Sequence, residues 1–428
     1  MEALLHKALK LADQADIYAK KSVQHAVSFQ ASKLKDITRM EEEVWTLRLI
    51  KDGRLGSATS TKPDSLDVLL EYAANTVKHG APVAYSLPGS AALVTPRTVD
   101  PRVFDVSQQE MLDIAADLVG ALNAFDPKIK VFAGVGKASG SVILMNSAGF
   151  HATGEITNWH AYLGGEIVNE DGFLSVYDGI IGSDYTTDTG SLKAKVIESF
   201  RLAKENASLK PGQYPVIFAP AEVSCLVDPL LACLNGVGIS RGFSPFKGRI
   251  GELAFDPRFS LIDDALVDGA VGSKGFDREG TPTGRRALID SGKIGGYLLD
   301  LQTAHLLGLS PTGNGGASAP VPNNTLVLGG DKSYDEMLAG IDEGVLIEGT
   351  MGAWAGNPYG GQISGNISLG YKIEKGKIVG RVKDCMFSVN VFTDLRDNLT
   401  ALSREQHWRG NTCYPYLQLA NVNISTKS

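Results

Sequence analysis

The sequence predicts an α+β protein: an N-terminal region of two similar α+β units, then a large β-rich C-terminal domain, sandwich- or barrel-like. Three observations carry this. Apolar residues recur at helical spacing in four separated stretches before residue 208. Between them, long segments alternate apolar and polar residues, the period of half-buried strands. After residue 209 short apolar runs are punctuated by Gly turns, which suits many short strands around one core. The 428 residues suffice for two or three domains, and 43% hydrophobic content can build real cores.

The first unit spans 1–80. Leu4, Leu5, Ala8, Leu11 and Ala12 lie on one face of an opening helix. "HAVSFQASKLKDI" and "EVWTLRLIKDGRLGSATST" read as strands, with Asp52-Gly53 as a hairpin turn. "SLDVLLEYAANTVKHG" (65–80) is helical and stops at Gly80, shortly before Pro82. Residues 81–106, rich in Pro, Ser and Ala, read as a linker.

The second unit, 107–208, repeats the element order without residue-level similarity. Ser107 caps "QQEMLDIAADLVGALNAF", and Glu110 takes the capping-box position. Alternating strands fill 129–180, and "GSLKAKVIESFRLAKENAS" closes the unit as a helix. In the C-terminal domain, 209–428, "YPVIFAP" is a buried strand. "AEVSCLVDPLLACL" is a helix expected to break at Pro229. The rest reads as Gly-turned strands.

Composition narrows the function classes. A net charge of −7 argues against sequence-independent nucleic-acid binding. No apolar run approaches the roughly 18 residues of a membrane span. The start carries acidic residues within its apolar pattern and no small-residue cleavage site, so it reads as a helix rather than a signal peptide. The four Cys, 225, 233, 385 and 413, form no CxxC pair and suit the reduced thiols of a cytoplasmic protein.

Familiar catalytic patterns are missing. "GVGKASGS" lacks the ending that would place a Lys and a hydroxyl on a nucleotide, and no helical run follows "GNGGASAP". "GISRG" is not a nucleophile elbow. No HExxH or HxxxH pair exists, and His151 and His160 stand an odd number apart on one strand region. Asp263-Asp264 are adjacent and read as solvated or turn carboxylates.

Three longer segments nevertheless occur together and in order: "GFSPFKGRIGE", "FDREGTPTGRRALIDSGKIGGYLLDLQTAHLLGLSPTGNGG" and "GTMGAWAGNPYGGQISGNISLGYKIEKGKIV". With the early "IKDGRLGSATST", they resemble the TldD/PmbA family along nearly the whole chain. The resemblance implies a cytoplasmic bacterial or archaeal protein of a metalloprotease family once described as modulators of DNA gyrase. Its TldD kind carries HExxxH on a helix plus a distant Cys, and binds zinc. Its PmbA kind, also called TldE, lacks the histidine motif and pairs with a TldD-type subunit to cleave unfolded peptides.

This sequence resembles the PmbA kind. Where the motif should fall stand Val227, Asp228, Pro229, Leu230, Leu231 and Ala232, and no His lies anywhere in 161–304. Cys413 sits near the place of the family's distal Cys. After "TGNGG" the chain continues "ASAPVP", without the basic residues that members often show there.

The expectation is therefore a subunit with no catalytic residue, metal or cofactor of its own. Its partner would be a zinc-bearing TldD-like subunit or a second copy, and its substrates peptides captured by strand addition. Candidates for groove or interface are Thr312, Gly313, Asn314, Gly315 and Gly316, then Thr350, Met351 and Gly352 within 349–356, and Cys413. Two alternatives stay open: a stand-alone peptidase whose metal site is assembled from His407, Cys413 and carboxylates, and a non-enzymatic client-binding protein.

Overall fold

A computed structural model describes residues 1–61, 66–169 and 172–426. Ser65, where the sequence reading begins its second helix, and the last two residues of the C-terminal domain lie outside the described residues.

The first unit comprises α1 (Glu2–Ala8), β1 (Gln14–Gln30), β2 (Lys33–Lys51), β3 (Arg54–Ser60), α2 (Leu66–Val77) and the short β4 (Ala81–Pro82). After an irregular stretch come α3 (Arg102–Asp105), α4 (Gln108–Phe125), β5 (Lys130–Asn146), β6 (His151–Asn169), β7 (Gly172–Gly182) and α5 (Gly190–Leu202). Ser107 caps α4, its hydroxyl accepting the Glu110 N–H.

One antiparallel sheet of seven strands, ordered β4-β3-β2-β1-β5-β6-β7, joins both units. The junction is β1, which pairs with β2 on one side and β5 on the other. Its odd-numbered residues explain how. Ala15 and Ile17 pack under α1 and α2, while Val27 packs with α4 and α5. Alternate strand residues share a face, so α1, α2, α4 and α5 cover one side of the sheet. The even-numbered Asp16 and Arg48 look the other way and meet the C-terminal domain.

That domain contains β8 (Gly212–Phe218), α6 (Val223–Cys233), α7 (Gly236–Ser240), β9 (Leu261–Asp264), β10 (Arg285–Asp290), β11 (Lys293–Ile294), α8 (Leu301–Leu307), β12 (Thr325–Val327) and α9 (Tyr334–Ala339). β13 (Glu343–Met351), β14 (Gln362–Glu374), β15 (Lys377–Arg381), β16 (Cys385–Asn390), α10 (Val391–Asp397), β17 (Leu399–Arg409) and β18 (Thr412–Thr426) complete it. The sequence left sandwich and barrel open. Strands β18, β16, β14, β13 and β8 pair in that order, and β8 pairs back onto β18 with Leu417 opposite Phe218, closing a small barrel. Val216, Phe218, Ile347, Phe387 and Leu417 share one core with Val223, Leu226, Val227 and Leu230 of α6. Burying each large apolar side chain contributes roughly 1.5–3 kcal/mol.

Two sequence expectations need correction. α6 does not break at Pro229; it runs through to Cys233. Pro removes one backbone donor, and the burial of Leu226, Val227, Leu230 and Cys233 holds the helix together across that loss. The stretches of α8, α9 and α10, where the sequence reading placed no helix, fold as short helices capped by Asp300, Ser333 and Asn390.

Candidate functional site

Residues 227–232, which the family resemblance sets where a metal-binding motif would fall, lie in α6. Val227 and Leu230 are fully buried in the barrel core, and Leu231 packs partly against it. Glu222 lies just ahead of the helix, Cys225 packs partly against the same core, and Asp228 is exposed. Thr350 Oγ1 donates to the Glu222 carboxylate at 2.6 Å, tying β13 to the start of α6.

The electrostatics here favour neutral groups. Partial burial pushes the Glu222 carboxyl above its ordinary range, and the surrounding protein raises that of Asp228 although its side chain reaches solvent. The Cys225 thiol is raised well above its usual value by burial first and by the two carboxylates beside it second. Burial alone lifts Cys233 to about 12 and Cys413 to about 11. At neutral pH these sulfurs are therefore held as neutral thiols.

Cys413 lies in β18, 4% exposed, opposite Trp408 of β17. His407 opposes Tyr414 in the same pairing and sets its ring edge-on to Tyr416. Successive strand residues point to opposite faces, so His407 and Cys413 project to different sides of the sheet. Among the described residues, no three His, Cys, Asp or Glu side chains converge in a way that could hold a metal ion.

The remaining candidates fall in two different surroundings. Thr350 touches Glu222, Met351 is 62% exposed, and Gly352 turns the chain with a φ of 84°. Thr312 to Gly316 instead thread a polar interior. The Thr312 hydroxyl accepts the Leu299 N–H at 2.7 Å. Asn314, 1% exposed, donates to Asp263 at 2.7 Å, and the Gly315 N–H donates to Asp277 at 2.7 Å. Gly313 has a φ of 74°, and a Cβ there would stand 2.5 Å from the Pro282 carbonyl oxygen, so only glycine fits. Gly316 closes the turn, with the Ala319 carbonyl 2.4 Å from where its Cβ would be.

Sequence reasoning missed the charges around this loop. Asp263 and Asp264, expected as solvated or turn carboxylates, lie on the buried strand β9 and are 1% and 5% exposed. Asp263 accepts from Asn314 and Asn323, and Asp264 from Arg285 at 3.0 Å, which satisfies both where they are buried. Nearby, Arg48 donates to Asp16 at 2.7 Å and to Glu279 at 3.2 Å, linking the N-terminal sheet to the C-terminal domain. Glu279 also accepts the Leu301 N–H at 2.7 Å, and burial pushes its carboxyl up to about 7 against the pull of Arg48. Only Asp263-Asp264 drew notice in the sequence; isolated Asp16, Arg48 and Glu279 carry no local pattern.

Comparison with known proteins fits this architecture. Residues 211–426 match the PmbA/TldA metallopeptidase C-terminal domain, and residues 15–78 match PmbA/TldA metallopeptidase domain 1. An uncharacterized protein of Methanocaldococcus jannaschii is 28% identical over 387 residues, 86% of each chain. A metalloprotease TldD homolog of Haemophilus influenzae is 35% identical over 221 residues, 50% of this chain and 44% of its own. Among solved structures, TldE from Thermococcus kodakarensis superposes with a TM-score of 0.92 at 22% identity, over 99% of each chain. A Thermotoga maritima structure named for modulation of a DNA gyrase gives 0.90 at 21% identity, over 99% of this chain and 100% of its own. At such identities the structures speak to the fold. The two matched domains together cover most of the sequence, and the chain belongs to the TldD/PmbA metallopeptidase family.

Proposed function

We propose that this chain is a PmbA/TldE-like subunit that holds no catalytic zinc and works in the cytoplasm beside a zinc-bearing TldD-like subunit, acting on unfolded peptides. The observation that carries the reading is α6. Its core-facing positions are Val227 and Leu230, no His lies on it, and among the described residues its Cys225 and Asp228 join no group of three ligand-type side chains. A catalytic zinc site needs three ionised or imidazole ligands and an open position for water, and these residues do not fit that set. Apolar helix residues packed into a closed barrel instead make a rigid wall for a partner's chamber. A peptide captured through backbone hydrogen bonds at a free strand edge would be recognised with little regard to sequence. The opposite projection of His407 and Cys413 speaks against a separate metal site built on that pair.

Metal analysis of the purified protein tests the reading. Substoichiometric zinc, unchanged by Cys413→Ala, is the expected result. Stoichiometric zinc that disappears in that variant would overturn it.

A further inference from the structure

Gly315 sits between two buried carboxyls of one turn. A Cβ on Gly315 would stand 2.8 Å from Asp277 Oδ2 and 2.8 Å from Glu279 Oε2. Those two oxygens therefore lie within about 6 Å of one another, close enough for each charge to oppose the other. Asp277 is 2% exposed and Glu279 6%, so little solvent screens them.

Hydrogen bonds decide which of the two keeps its charge. Asp277 accepts three backbone N–H groups, from Gly315 at 2.7 Å and from Glu279 and Thr281 at 2.9 Å each. Glu279 accepts one, from Leu301 at 2.7 Å, and a longer contact from Arg48 at 3.2 Å. Arg48 sits closer to Asp16, at 2.7 Å, and its second terminal nitrogen meets no acceptor among the described residues. Asp300 at the start of α8 and Tyr85 after β4 also face Glu279. Arg278 turns toward Asp16, and Lys274 acts on Asp277 while shared with Asp263. The loop 312–316 brings no titratable side chain. Asp16, Asp277, Glu279 and Asp300 thus outnumber Arg48, Arg278 and Lys274. A proton on the least bonded carboxyl, Glu279, relieves that surplus.

The loop is tied to this turn in both directions. The Gly315 N–H donates to Asp277, and the Gly315 carbonyl accepts the Arg278 N–H at 3.0 Å. A charge appearing on Glu279 faces Asp277 across that glycine and works against the seat of the loop. We propose that Glu279 is a proton-operated latch, which seats loop 312–316 at the joint with the N-terminal sheet while neutral and loosens it when ionised. Burial, the largest influence, pushes this carboxyl up to about 7, which sets the working range near neutral pH. The latch goes beyond the function proposed above and stands independently of it.

The test compares the full chain with Glu279→Gln, which keeps the size of the side chain and an acceptor for the Leu301 N–H but cannot titrate. A raised carboxyl holds a proton in the folded state that the unfolded chain, at its ordinary 4.5, has released. Its stabilisation is complete below 4.5 and is lost as pH rises through about 7. Relative to the Gln variant, the unfolding equilibrium constant of the wild type should therefore rise about tenfold per pH unit between about 5 and 7, then level off. Hydrogen exchange locates the effect. Corrected for the intrinsic rate, protection over 312–316 in the wild type should fall about tenfold between about pH 6 and pH 8 and that of α4 should hold steady. Parallel stability profiles for the two proteins would overturn the proposal. So would protection over 312–316 that does not change with pH, a result the wild type gives even if the Gln variant fails to fold.

Discussion

Asp100 shows how much one side chain can carry here. Its side chain is 5% exposed, and it accepts from Arg102 three times through the guanidinium, as well as from the Arg102 and Tyr185 backbone N–H groups. The Arg102 side chain, chiefly, holds the carboxyl down at about 2. A depressed pKa means the folded state binds its proton later than the unfolded chain, so the stabilisation is present above the ordinary value near 3.8 and is lost as pH falls through about 2. Because the Arg102 side chain is 65% exposed, screening limits the effect to about 1 kcal/mol. Asp100→Asn should therefore lower the denaturation midpoint at pH 7, and the gap from wild type should close as the buffer is taken from pH 4 to pH 2. The thiols make a second residue-scale case. With Cys413 at about 11 and Cys233 at about 12, little thiolate exists at pH 8. Their reaction with a disulfide reagent in the native protein should run at least roughly a hundredfold slower than that of free cysteine, and reach full speed in guanidinium.

At the scale of elements, α6 is the piece on which the function turns. Leu230→Ala removes a fully buried side chain from the core shared with Phe218 and Leu417, and should cost about 2–5 kcal/mol in urea unfolding. A drop below about 1 kcal/mol would mean that the helix does not plug the barrel as described. The elements also show what was legible in the sequence. A long periodic segment such as α4 announces itself, because eighteen residues repeat a period many times, whereas the strand read over 25–37 takes in only the end of β1 and runs through the turn into β2. The short α8 and α9 span only seven and six residues, too few to set a period, and their real signal was the capping pairs Asp300/Thr303 and Ser333/Glu336. Pairings distant in sequence, such as Leu417 with Phe218 to close the barrel and Ile17 with Met145 to join the two units, have no local signature. The candidate site divides the same way. The absence of ligands on α6 can be read directly from its residues, whereas the burial of Asp263, of Asn314 and of Glu279 depends on partners brought in by the fold.

Across the whole molecule, the N-terminal sheet and the C-terminal domain are tied by buried charge. Arg48 bridges Asp16 and Glu279, all nearly inaccessible to solvent, and Arg278 approaches Asp16 at 3.4 Å while its guanidinium lies over the Tyr18 ring. Removing one member of such a group strands the others. Arg48→Ala should cost about 3–5 kcal/mol, whereas Lys7→Ala, which breaks the exposed pair with Asp67, should cost under about 1 kcal/mol. Comparable losses would mean that the interior pair does not hold the two regions together. The closed barrel and α6 are joined to the N-terminal sheet through that charge group, and the proposed role beside a zinc-bearing partner builds on this frame. The most direct test of that account is cleavage of an unfolded protein such as casein, by this chain alone and after mixing with a TldD-like subunit bearing HExxxH. The account predicts no cleavage by the chain alone and cleavage by the mixture beyond that of the TldD-like subunit by itself; cleavage by the purified chain alone would contradict it.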